Sequence, residues 1–106
     1  MKLETKYKKN KVVGVITYNE EKARSIIGHI YDRSNKSDIE CFLVGESKIK
    51  IVYKNGDIVM WVNPLNRSRC YRFTHIIIDS NIKKEEYILY IEKFGRYCKE
   101  ENIKII

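Results

Sequence analysis

Residues 47–80 read SKIKIVYKNGDIVMWVNPLNRSRCYRFTHIIIDS. In the first half Ile49, Ile51 and Tyr53 point one way while Lys48, Lys50 and Lys54 lie mainly on the polar side, the period-two pattern of a strand with one covered face. Asn55-Gly56 follows; both positions tolerate φ > 0, so the dipeptide predicts a tight hairpin to a partner strand, residues 57–62. Residues 63–72, NPLNRSRCYR, read as a basic loop. Phe73-Thr74-His75-Ile76-Ile77-Ile78 is then a buried-type strand closed by an acid, Asp79.

Working outward, Val12-Val13-Gly14-Val15-Ile16-Thr17 is a second run of β-branched residues, expected near the sheet centre. Asn19 can cap the helix after it, Glu20 and Glu21 suit a positive helix start, and Ala23, Ile26, Ile27, Ile30 and Tyr31 recur at helical spacing over about four turns. Ser34–Asp38 ends that helix, and Cys41–Val44 is a short apolar run. Downstream, Ser80 or Asn81 can cap a final helix whose Ile88, Ile91, Phe94 and Cys98 share a face, and residues 103–106 add a short strand. The order predicts one small α/β or α+β domain, residues 12–106, with a mixed sheet, a central hairpin and two amphipathic helices. Residues 1–11 form a basic arm carrying Lys2, Lys6, Lys8, Lys9 and Lys11.

Composition narrows the function classes. A chain of 106 residues has room for one domain, and 43% hydrophobic with 33% charged residues is a globular balance. No apolar run approaches a membrane span and the start has no signal-peptide pattern, so the expected location is the cytoplasm. Twenty-one basic against 14 acidic side chains give +7, which favours a polyanion or an acidic protein surface and disfavours mimicry of DNA. Part of that lysine excess goes with a codon bias that also raises Ile, Asn and Tyr. The cysteines Cys41, Cys70 and Cys98 form no CxxC and are odd in number, so reduced thiols are expected.

Residues 47–82 resemble part of the P-loop ATPase core of phage terminase large subunits. In that family a hairpin with a central Asn-Gly leads to a loop holding an arginine and then to an apolar strand ending in Asp-Glu. The counterparts here are SKIKIVYKNGDIVMWV, NRSRCYRF and THIIIDS, and VVGVITYNEEKARSIIGHI is similar to the strand and helix that come before. The resemblance implies an α/β sheet and a phage or prophage source. Its departures decide the expected chemistry. There is no GxxxxGK[ST] to cradle phosphates, Ser80 stands where the water-activating glutamate belongs, and Cys70 rather than glycine follows Arg69. Asp79 alone matches the family's magnesium-associated acid. The implied protein is a relic or mimic of the fold that has lost hydrolysis.

The candidate binding residues are Arg67, Arg69 and Arg72, whose forked donors match phosphate and carboxylate alike, with Asn66, Lys54 and Tyr71 beside them. They are expected at the end of the sheet where open α/β sheets bind ligands. Tyr71 is the surface aromatic and Phe73 a core residue; Asp79 either holds a metal or caps the next helix, with capping favoured. Tyr87, Tyr90 and Tyr97 either mark a partner surface or edge a small core. No pair among His29, His75, Cys41, Cys70 and Cys98 has a zinc-ligand spacing, and no nucleophile–base arrangement is legible, so neither cofactor, metal nor catalysis is expected. The expected function is that of a non-catalytic phage protein, an inhibitor of a host defence nuclease such as a CRISPR effector. Anti-CRISPR proteins are similar in size and in lacking catalytic motifs. The alternative is a nucleic-acid-binding accessory protein of packaging or replication.

Overall fold

A computed structural model describes residues 10–45, 48–65 and 72–106. The β-branched runs form strands as expected. They are β1 (Val12–Ile16), β2 (Ile39–Gly45), β3 (Lys48–Tyr53), β4 (Ile58–Val62), β5 (His75–Ile78) and β6 (Ile103–Ile105). Two α-helices, α1 (Glu20–Arg33) and α2 (Lys84–Phe94), and two single 3-10 turns, Lys36–Asp38 and Glu100–Asn102, complete the described elements. The six strands make one sheet in the order β2-β3-β4-β1-β5-β6. Pairing from β4 through β6 is parallel, and the β2–β3–β4 half is antiparallel. The mixed α/β domain expected from the sequence is therefore what forms, with the 12–16 and 75–78 strands side by side and parallel.

Alternation along the central strand builds two cores. Val15 joins Ala23 and Ile27 of α1 with Ile49, Ile51 and Val59, whereas Ile16 joins Phe73, Ile76, Ile78, Ile82 and Phe94 on the opposite face. The result is three layers, helix on sheet on helix. Asn19 caps α1 as read, its Oδ1 accepting from the Glu21 and Lys22 amides at 2.8 and 3.2 Å. No described helix is long and apolar enough to cross a membrane.

Three local readings are corrected. The β3–β4 connection is a three-residue loop, Lys54–Gly56, closed by a Tyr53 N–H to Asp57 carbonyl bond of 2.9 Å. Gly56 at φ +98° takes the left-handed position that ends such a loop. Neither Ser80 nor Asn81 caps α2. Its N-cap is Lys83, without a side-chain bond, and its start is fixed instead by Ile82 and Tyr87, which occupy the two positions of a hydrophobic staple in one core cluster. That staple also rotates the helix from the expected face. Ile88 is 51% exposed, while Tyr87, Tyr90, Ile91 and Phe94 turn inward, so of the three tyrosines only Tyr97 is exposed.

Candidate functional site

In an open α/β sheet, ligands collect where two adjacent parallel strands send their following segments to opposite faces. Here that place is the carboxyl end of β1 and β5, because β1 leads to α1 on one face and β5 to α2 on the other. Thr17 and Asp79 stand there side by side, both buried. The Thr17 hydroxyl donates to Asp79 Oδ2 at 2.8 Å, and Lys22 Nζ reaches Oδ1 at 2.5 Å from the first turn of α1. The Asn81 amide donates to the same Oδ1 at 2.9 Å. Thr17 Oγ1 in turn accepts from the Asn19 amide at 3.1 Å, and the Trp61 indole N–H donates to the Thr17 carbonyl at 2.9 Å.

Burial alone would raise the Asp79 pKa. The bonds from Lys22, Asn81 and Thr17, with the lysine's charge, outweigh it and hold the carboxyl below its ordinary value. Asp79 is thus an ionised, fully partnered acid that closes the turn before α2. Asp79 does not cap α2 as expected: the amide it accepts from is that of Asn81 in the preceding turn, and the N-cap of the helix is Lys83. Ser80, the next residue, is exposed.

Beside this knot the Tyr18 hydroxyl donates to the Glu86 carboxylate and lies 2.5 Å from the Tyr90 hydroxyl. Burial, and then these two partners, push the Tyr18 pKa up. The cluster ties the β1–α1 loop to α2. The sequence reading singled out neither Lys22 nor Tyr18. One signal for Lys22 was legible: a cation in the first turn of a helix opposes the helix dipole, so its presence asks for a nearby acid.

Of the expected binding residues, Asn66, Arg67, Arg69 and Tyr71 lie outside the described residues, as does most of the basic arm. Arg72 and Lys54 are exposed, and their position differs from the expectation. Arg72 precedes β5 and Lys54 sits in the β3–β4 loop, so both occupy the amino end of the parallel strands, opposite Asp79. The cause is directional: β4 ends at the carboxyl edge of the sheet, and β5, parallel to β1 as β4 is, starts at the amino edge. Arg72 lies over the Tyr97 ring at 4.9 Å. Lys11 directly precedes β1, Lys99 stands ahead of β6, and Lys104 lies within β6 opposite Ile77.

His29 is exposed on α1, Cys41 lies on β2 and His75 on β5. The Cys98 thiol, its pKa raised by burial, donates to the Phe73 carbonyl at 3.0 Å. Among the described residues no three His, Cys, Asp or Glu side chains gather as a metal site; Cys70 falls outside them.

The chain matches no family model, no curated protein and no solved structure.

Proposed function

We propose that this chain works by binding rather than by chemistry, and that its partner is a protein: it inhibits a host defence nuclease, as a CRISPR inhibitor does, by covering part of the effector. The observation that carries this reading is a contrast between two places in one sheet. At the carboxyl end of β1 and β5, both oxygens of Asp79 are taken by Thr17, Lys22 and the Asn81 amide. A reactive acid needs a free oxygen for a metal or a proton, and this one is engaged as a structural anion.

The outer edge of β2 is the opposite case. It is a seven-residue strand whose far side pairs with nothing described, and it exposes Leu43 and Val44 at 46% and 48%. Lys50 lies directly across from Leu43 on β3, and Lys48 from Gly45. Open backbone groups, apolar side chains and flanking cations together suit an acidic protein segment that adds to the sheet. A phosphodiester chain offers nothing to cover Leu43 and Val44.

The test is plaque formation by a targeted phage on cells with an active CRISPR nuclease, with and without this chain. Expression is expected to restore plaques, and Leu43→Lys combined with Lys50→Glu to abolish the rescue while the protein stays folded. Absence of rescue across the nuclease types tried defeats the reading.

A second reading, nucleic-acid binding, draws on the amino end, where Arg72 lies over Tyr97 near Lys99, and Lys11 precedes β1. It requires binding to DNA or RNA that weakens steeply with salt, by about one order in slope for each phosphate contact. Charge reversal at Arg72 then shallows that slope, and a flat salt response excludes it.

A further inference from the structure

α1 lies over β1, β3 and β4 and leaves the β5–β6 part of its own face uncovered. A half-open cavity of about 320 Å³ results, between Ile30 of α1 and Lys104 of β6. Strand register explains its lining. Val13 pairs with His75 and Val59, and Ile77 with Lys104, so these side chains share α1's face of the sheet. The floor is apolar, from Val13, Val59 and Ile77. The rim carries Lys11, just before β1, and Lys104, beside Ile77 on β6, both exposed, and neither has a carboxylate in ion-pair contact among the described residues.

The other polar groups of the lining are Asp57, Tyr53, His75 and Asn102, and the side chains of the first three have partners. Asp57 accepts the Lys11 amide at 2.9 Å and an Asn55 amide N–H at 3.2 Å. The Tyr53 hydroxyl is bonded to Ser34 Oγ at 2.7 Å. His75 Nδ1 is 2.8 Å from Thr74 Oγ1, which leaves Nε2 as the ring nitrogen available to a ligand. Two cations without ion-pair partners among the described residues, against the one carboxylate of Asp57, over an apolar floor of this size define a ligand by complementarity: an apolar body of roughly ten to twenty heavy atoms with one anionic head. Further occupants are disfavoured by charge. The chain's own residues 1–9 bring Lys2, Lys6, Lys8 and Lys9, and a second copy brings +7, onto a rim that is already positive.

We propose that this cavity binds a small amphipathic organic anion, an aliphatic or aromatic carboxylate, with its head between Lys11 and Lys104 and its body on Val13, Ile77 and Ile30. The site is separate from the β2 edge and from the nuclease reading, so either can fail alone.

The experiment titrates the full chain with anilinonaphthalene sulfonate, and in parallel with phenylnaphthylamine, which has the same body without the anion. One-to-one saturable binding of the sulfonate is expected, competed by decanoate and at least about fivefold tighter than the neutral analogue. Lys11→Glu and Lys104→Glu are each expected to weaken it about tenfold, whereas Lys83→Glu, at the other end of the sheet, leaves it unchanged. Ile30→Trp, checked for folding by circular dichroism, is expected to fill the cavity and remove binding. Equal affinity for both dyes, insensitivity to both rim reversals, or loss with Leu43→Lys and retention in Ile30→Trp would each overturn the proposal. So would the lack of any saturable site in the full chain.

Discussion

Asp79 and Lys22 set what single residues contribute. Lys22 is 29% exposed and Asp79 5%, so removing the lysine strands a nearly buried carboxylate. Lys22→Met is expected to cost about 2 kcal/mol in urea unfolding, below the full range for a buried pair because water still reaches the lysine. The double variant with Asp79→Asn is expected to regain part of that loss, since the charge needing a partner is gone. Acid titration separates two groups. Asp79 titrates in the folded chain below its ordinary 3.8, so its contribution is complete above that value and is lost as pH falls through the lower, folded one. His75 is also lowered, from 6.5, by burial first and then by Lys11 and Lys104, with Asp57 opposing. An unfolded chain therefore takes up that proton first, and stability is expected to begin falling below 6.5, well before Asp79 is reached. Urea midpoints across this range check the order; His75→Gln should remove the upper step and Asp79→Asn the lower.

At the scale of elements, strands were more legible than helix boundaries. Val12–Ile16 and His75–Ile78 announce themselves by continuous β-branched residues, which few other environments accommodate. The start of α2 was misread because Ser80 and Asn81 have capping side chains, whereas burial of Ile82 set the start from the core outward. Local chemistry lost to tertiary packing there, and the inward face moved with it. The carboxyl-end knot was half legible: Asp79 stood out as an acid closing a strand, but its partners come from positions 17 and 22, which only the parallel pairing of β1 with β5 brings near. Gly14 shows how closely elements approach. A Cβ there would meet the Phe73 ring at 2.8 Å. Gly14→Ala is expected to destabilise by about 1–3 kcal/mol in thermal or urea unfolding, because the ring is 1% exposed and has little room to move.

For the whole molecule, the two sheet edges are unequal. β6 is three residues long with Lys104 at its middle, a short and charged edge that resists adding another strand. β2 is longer, and its one charge, Glu40, sits at the irregular Ile39–Cys41 end, which leaves Cys41, Phe42, Leu43 and Val44 in sequence without one. Leu43→Lys is expected to raise the concentration at which the free protein self-associates, measured by light scattering, with a change in unfolding free energy within about 0.5 kcal/mol. The sheet order has a further consequence for how the chain is made. β1 is central, yet residue 12 pairs with residue 58 and residue 13 with residue 75. Its apolar run has no parallel partner until β4 has been made and lacks its second until β5 follows. The antiparallel β2–β3–β4 meander can form from local contacts, but its α1-side core lacks Val15 until β1 docks. A chain that ends before Ile58 leaves both edges of β1 unpaired, and one that ends before His75 leaves one of them open to wrong pairing.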